Sequence, residues 1–390
     1  MGIICAFALV PCASFGMKIA MTLLSGIGYG GVTYFNNLIP ALGVVDRENE
    51  YHLFVPQGHS LITRMYKENF IFHECIKNNQ SALKRFLWEQ LILPFKLKEY
   101  KVDVLFTAKN LNVFLASCKT VISLRNMEPL AYQEYKNDWK LNAVLWIKLV
   151  LTKWSVRKAD HVVAVSQAVK DRIIARIPDA EKKITVVYNG NPVPSPVPIA
   201  VEAPYPIGRG KGEDYILTAS KFVAYSNQLN LLRGYAELVK RRSETPPLWF
   251  AGGVHDAKYF DKVRAYVENN KLTGRVGFLG LVSHDRLLEL MSGASLFVFP
   301  STLESCPHTL IEAMACGVPI VTSNTPPMPE ICENSALYCD PNDPEDIANK
   351  IERVLSDSPL RERLVQNGLT HAEFFTWDKT ARKLVKVFML

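Results

Sequence analysis

The chain has 390 residues, and no uncharged apolar run in it reaches the roughly 20 residues a membrane-spanning helix needs. It has no C-x-x-C pair. The eight cysteines are scattered, and Cys332 and Cys339 have no histidine beside them at metal-ligand spacing, so a reducing compartment, the cytoplasm, fits better than a disulfide scaffold. There is no D-x-D and no clustered histidine, so no metal site is expected. No reading motif or basic-aromatic stripe for nucleic acid occurs, and no internal repeat. With 48% hydrophobic and 21% charged residues the chain is not disordered, and its length allows two to three domains.

The charge is uneven. Residues 1–200 carry 24 Lys and Arg against 15 Asp and Glu, a balance of +9, and residues 201–390 carry 21 against 23, a balance of −2. The basic half should attract something anionic, such as phosphates or an acidic membrane surface. Residues 1–16, "MGIICAFALVPCASFG", have no charge, lack a basic signal region and are too short to span. They read as an extension ahead of a natural start at Met17, with a weakly membrane-inserting tail as the alternative.

Short, nearly continuous apolar runs punctuate the chain: "KIAMTLL", "YHLFVP", "DVLFTA", "TVISL", "HVVAVS" and "ITVVY", then "YILTAS", "LWFAGG", "RVGFLG", "SLFVFPS" and "PIVTS". Such strands with helices between them predict parallel sheets covered on both faces. Six prolines in 191–206 predict a stiff connector and a domain boundary there. Two α/β domains, 1–193 and 194–374, would leave a cleft between the carboxyl ends of their sheets, where ligands of such sheets bind.

Gly26, Gly28 and Gly31 in "SGIGYGGV" match G-x-G-x-x-G between a strand and a helix. A nicotinamide site would also need an acid at the end of the second strand, but Asp46 precedes that strand and Pro56 and Gln57 follow it. A tight packing turn is a second reading. A flexible backbone cradle facing the cleft is the favoured one. In "SLFVFPSTLESCPHTLIEAMACGVPIVTSN" (295–324) a buried strand precedes a helix, with Pro307 suited to its first position and Gly317 to its end. The N–H groups of His308, Thr309 and Leu310 are then candidates to hold a pyrophosphate. Glu312 is placed to accept two adjacent ribose hydroxyls, and Glu304 to reach a sugar beyond the phosphates. Taken alone, the two read better as surface glutamates near a helix start, stabilised by its dipole.

The spacing E-x(7)-E from Glu304 to Glu312, preceded by "PST" and followed by "AMACGVPIVTSN", resembles the signature of glycosyltransferase family four. "GGVTYFNNLIPAL", "HVVAVSQAVKDRI", "VVYNG", "RVGFLGLVSHDRLLELMSGASLFVFPS" and "FFTWDKTARKLVKVF" resemble further pieces of that family, in order, from Met17 to Leu390. The resemblance implies an α/β GT-B fold: two Rossmann-like doubly wound domains facing a central cleft, with a helix in 375–390 crossing back to the first. It implies a retaining, metal-independent transfer from a nucleotide sugar, by a front-face route in which the departing phosphate helps deprotonate the acceptor. Carried over by position, Glu312 is implied on the ribose, Glu304 on the donor sugar, Gly30 and Gly31 near the phosphates, and Gly280 and Leu281 at the base. No cofactor is implied, only a donor, with UDP- or GDP-sugars favoured.

Three positions depart from the family. Ser305-Cys306-Pro307 stands where G-F-G is usual. Lys221 and Ser226 stand where an Arg and a Lys usually meet the diphosphate, so one leaving-group cation is missing. Arg125 or Asn126 occupies the place of a usual His. A catalytically weak or partner-dependent nucleotide-binding protein is therefore the alternative. Residues 84–101 and 136–158 mix Trp, Leu and Lys/Arg, which suits either an interfacial surface or helices packed on the sheet with a solvated basic face. With the basic first half they suggest peripheral contact with an anionic membrane, at its inner face, and a saccharide or lipid-linked acceptor. Oligomeric state has no signal in the sequence.

Overall fold

The computed structural model describes residues 16–24, 29–58, 68–77, 80–134, 139–191 and 214–390. The extension at 1–15, Gly26 and Gly28, and all but the first residue of the proline-rich connector lie outside the described residues.

The first domain contains strands β1 (Lys18–Thr22), β2 (Glu50–Gln57), β3 (Phe70–Lys77), β4 (Val104–Thr107), β5 (Lys119–Leu124), β6 (His161–Ala164) and β7 (Ile184–Val186). Its helices are α1 (Tyr29–Val45), α2 (Ala82–Leu91), α3 (Leu93–Glu99), α4 (Trp139–Lys158) and α5 (Gln167–Arg176). The second domain contains β8 (Ile216–Ala219), β9 (Leu248–Ala251), β10 (Val276–Gly280), β11 (Leu296–Phe299), β12 (Ile320–Ser323) and β13 (Ala336–Cys339). Its helices are α6 (Gln228–Arg241), α7 (Ala257–Asn269), α8 (His284–Ser292), α9 (His308–Ala315), α10 (Met328–Cys332), α11 (Pro344–Ser356) and α12 (Ser358–Ala372), and α13 (Trp377–Phe388) closes the chain.

The sheet orders are β3-β2-β1-β4-β5-β6-β7 and β10-β9-β8-β11-β12-β13, with every pairing parallel. Each domain is thus a doubly wound sheet whose order reverses beside its first strand, and that reversal opens a crevice at the carboxyl ends. Helices cover both faces, which is why β4, β8, β11 and β12 are buried at every position, and β1 at all but its first, instead of in alternation.

α13 leaves the second domain and packs on the first. Trp377, Ala381, Leu384 and Phe388 recur at helical spacing and join a core with Tyr34, Leu38 and Phe106. The Trp377 ring meets Tyr34 edge-on at 5.5 Å. The crossing is tight: a Cβ on Gly190 would lie 2.3 Å from the Trp377 nitrogen, so only glycine lets the outgoing and returning segments touch.

Candidate functional site

The loops that follow β4, β5, β8 and β11 line one cleft of about 860 Å³ between the domains. Gly31, Asn110, Arg125, Asn126 and Lys148 come from the first domain, and Lys221, Ser226, Glu304, His308 and Thr309 from the second. Four Lys or Arg and two Glu line it, so its field favours an anion.

The chain ties these groups in place by local chemistry. Asn110 Oδ1 accepts the N–H groups of both Arg125 and Asn126 at 3.1 Å, and its Nδ2 donates to the Asn126 carbonyl. The Arg125 guanidinium lies over the Tyr34 ring, 3.7 Å from its centre, and donates to Asn189 Oδ1 at 3.2 Å. Across the cleft, Ser305 Oγ donates to the Arg125 carbonyl at 2.9 Å, and Ser166 Oγ donates to the Ser305 carbonyl at 2.7 Å while capping α5. Glu330 accepts the N–H of Ala168 at 2.9 Å and that of Gln167, and Tyr225 donates to Glu128 at 3.1 Å. The loop with Ser305-Cys306-Pro307 is thus held by the first domain's own α5 and β5 ends.

In the second domain, Ser220 N donates to Ala251 O and Gly252 N to Gly280 O. A Cβ on Gly252 would sit 2.0 Å from the Ser220 carbonyl, so this glycine lets the β9 end press against the loop that presents Lys221. Lys221 Nζ lies 5.2 Å from the Tyr225 ring centre, and Ser226 is buried on the short 3₁₀ turn behind it. Glu304 accepts from Ser301 Oγ at 2.9 Å. Burial raises its carboxyl to about 7, with the Ser301 hydroxyl and Lys221 opposing that rise. Burial, with Arg125 adding to it, holds the His308 imidazole down at about 4, so it is neutral near pH 7.

Several expectations change in detail. Pro307 caps α9 and does not form its first turn, and Leu310 N donates to the Pro307 carbonyl at 3.1 Å. The N–H groups left for an anion at the cleft are therefore those of His308 and Thr309, and the Leu310 side chain is fully buried. Glu312 is 5% exposed and is not among the cleft-lining residues; His284 Nε2 lies 3.0 Å from its Oε1. That bond raises the His284 imidazole above its usual range. Gly280 and Leu281 stand at the end of β10 beside Gly252 and Gly253, outside the lining of the cleft. Gly30 lies in the first turn of α1, one residue before the cleft-lining Gly31.

Asp46 settles the glycine loop's nicotinamide reading. Its buried carboxylate accepts from Tyr51, from Asn49 Nδ2 and from the N–H groups of Glu48 and Asn49, so it is a structural turn residue with no lone pair aimed at a ribose. Among the described residues no group of three or more His, Cys, Asp or Glu could hold a metal ion. Asn110, Asn189 and His284 are site residues that sequence reasoning did not single out. Asn189 sits in "VVYNG" and His284 in "LVSHD", both within stretches already noted, but neither spacing announces its partner.

Residues 29–192 match the family described as Glycosyltransferase Family 4, and residues 203–371 match Glycosyl transferases group 1. With the two Rossmann-like domains, these matches make the chain a glycosyltransferase family 4-like protein of the GT-B type. It is 28% identical over 244 residues to the uncharacterized glycosyltransferase MJ1607 of Methanocaldococcus jannaschii, covering 60% of this chain and 61% of that protein. It is 31% identical over 180 residues to the O-antigen chain mannosyltransferase B of Escherichia coli, covering 46% of each. The chain thus spans about half to three fifths of the length of these relatives. In fold it is similar to Anabaena Alr3699/HepE, solved with UDP-glucose, with a TM-score of 0.69 at 20% identity over 96% of this chain and 100% of that one.

A prediction follows for Glu312. One of its four lone-pair sites is taken by His284, which leaves the carboxylate able to accept further donors. If Glu312 accepts the two ribose hydroxyls of a nucleotide, Glu312→Ala should weaken nucleotide binding about tenfold or more, since a factor of ten corresponds to about 1.4 kcal/mol and stranding two hydroxyls costs at least that. Calorimetric titration with UDP and GDP measures it, and unchanged affinity in a folded variant would remove Glu312 from the site.

Proposed function

We propose that the protein transfers a sugar from a nucleotide-sugar donor, a UDP- or GDP-sugar, to a saccharide or lipid-linked saccharide acceptor in glycan or cell-surface polysaccharide synthesis. The observation that carries this reading is the shared cleft, in which Glu304 and the start of α9 in one domain face Arg125 of the other. The similarity to an O-antigen mannosyltransferase supports the polysaccharide setting, and the likeness to a fold solved with UDP-glucose supports a nucleotide-sugar donor.

In this reading Lys221, Arg125 and the N–H groups of His308 and Thr309 meet the diphosphate, taking the place a divalent metal would have. Gly30 and Gly31 approach it from α1, Glu312 takes the ribose, the backbone at Gly280 and Leu281 grips the base, and Glu304 orients the donor sugar. Transfer is retaining. The bond from the anomeric carbon to the phosphate oxygen breaks as the acceptor oxygen bonds the same face of that carbon. The acceptor's proton passes to the departing phosphate. The first domain holds the acceptor, in peripheral contact with an anionic membrane surface.

A panel of UDP-, GDP-, ADP- and CMP-sugars tests this. At least one UDP- or GDP-sugar should raise the melting temperature by several degrees, in line with the stabilisation of about 2.7 kcal/mol at a hundredfold excess over Kd. The same donor should be hydrolysed slowly without acceptor. Stabilisation without any hydrolysis would favour the non-catalytic alternative, and no stabilisation by any donor would overturn both.

A further inference from the structure

The outer flank of the first domain is not built like an ordinary solvated surface. α4 buries Leu145, Leu149, Thr152 and Val156 along one stripe, at the spacing of a helix packed on a sheet. The opposite side should then be polar, yet Trp146 and Ile147 are each 53% exposed and Trp154 is 49% exposed. On α2 and α3, Leu91 and Phe95 are also exposed, Phe95 at 74%. The two patches adjoin. The Gln90 side chain, next to Leu91, donates to the Asn112 carbonyl and accepts from Phe114 N, and the Phe114 ring stacks on Trp154 at 3.8 Å. The exposed Leu115 follows directly. A continuous apolar area of this kind marks an interaction surface.

Its charge narrows the partner. α4 carries five Lys or Arg and no Asp or Glu. On α2 and α3, Lys84, Arg85 and Lys98 stand against Glu89, which is buried on Lys109, and Glu99, which pairs with Lys96. A second copy would set these cations against each other, and interface cores are depleted in Lys. Among the described residues no helix is long and apolar enough to cross a membrane, so the flank can lie on a bilayer but not span it.

We propose that this flank docks on an anionic bilayer and that α4 sets the cleft at its surface. Lys148, Leu151 and Thr152 line the cleft, while Ile147 and Trp154, a few residues away on the same helix, lie on the apolar flank. One helix thus borders both the membrane and the site. Resting on the transferase reading, this makes the acceptor an amphiphile: its lipid stays in the bilayer, and its head group enters the cleft past Lys148.

The test is flotation of the purified full chain with vesicles of phosphatidylcholine alone and of phosphatidylcholine and phosphatidylglycerol at about 7:3. Binding should require the anionic lipid and fall with salt. The variant Phe95→Ser/Trp146→Ser/Ile147→Ser should bind about tenfold more weakly while keeping its melting temperature and its donor hydrolysis. Lys84→Glu/Lys98→Glu gives a second variant should the first fail to fold, with the same loss expected. The proposal is overturned if neither vesicle binds, if folded variants float like the parent, or if the parent instead self-associates through this flank. Donor hydrolysis without vesicle binding would sink this proposal alone. Vesicle binding without hydrolysis of any donor would sink the transferase reading, and with it the acceptor assignment, but leave the docking face standing.

Discussion

Glu304→Gln is expected to slow donor-sugar hydrolysis about a hundredfold, the scale of losing an orienting contact at the reacting group, while affinity for free UDP or GDP stays within about threefold. The carboxylate lies in the cleft, fixed by Ser301, in the loop between β11 and α9. In the proposed reading the start of α9 holds the phosphates and Glu304 meets the donor sugar. Sugar hydroxyls donate to a carboxylate, so the ionised form is the productive one. Because burial raises this group to about 7, kcat/KM should climb with pH and level off above that value, and the climb should vanish in the glutamine variant. Stability moves the other way. A carboxyl raised in the folded state favours the protonated protein, so its contribution is full below the ordinary carboxylate range and is lost as pH rises through about 7. The melting temperature of Glu304→Gln relative to the parent should therefore be higher at pH 8 than at pH 5. Equal loss of nucleotide binding in Glu304→Gln and Glu312→Ala would show that sugar and ribose are not divided between them.

Much of the fold was legible because parallel strands are buried on both faces and so stand out as apolar blocks. Each of the eleven such blocks in the sequence falls on a strand. The two missed strands explain themselves. β3, "FIFHECIK", is an edge strand with exposed or half-covered His73, Glu74 and Lys77, and lacks a continuous apolar run. β13, "ALYC", is a four-residue edge strand at the other sheet's margin. The helical stretch at 84–101 breaks into α2 and α3 at Ile92, ahead of Pro94.

The site was legible where its residues are neighbours in sequence and opaque where they meet only in space. Glu304, His308 and Thr309 lie within one strand-loop-helix unit, and the order of elements alone brings them to the cleft. Asn110 clamps Arg125 and Asn126 from another strand end, His284 reaches Glu312 across 28 positions, and Ser305 reaches Arg125 across 180. Nothing local marks an asparagine or serine for such a task. α4 shows the same limit. Its sequence allows a packed helix or an interfacial one, and the helix is both: buried on Leu145 and Leu149, exposed on Trp146 and Ile147.

Arg125→Ala is expected to lower affinity for UDP or GDP about tenfold or more. A charge-assisted hydrogen bond to a phosphate contributes roughly 1.5–3 kcal/mol, and the guanidinium presents five donors, of which one is spent on Asn189. Tyr34 beneath it and Asn110 at its backbone fix the fork before any ligand arrives, so little side-chain freedom is lost on binding. Arg125→Lys should not recover the affinity, because an ammonium cannot reproduce the planar fork or its stacking on Tyr34. Ser226 gives the complementary test. It is 3% exposed behind Lys221, where a usual second cation is missing. If Arg125 replaces that cation from the opposite domain, Ser226→Lys adds like charge to a filled site, and affinity should fall. A mild Arg125→Ala together with a gain in Ser226→Lys would instead identify a weakened ordinary site, and no change in either would place both residues away from the phosphates.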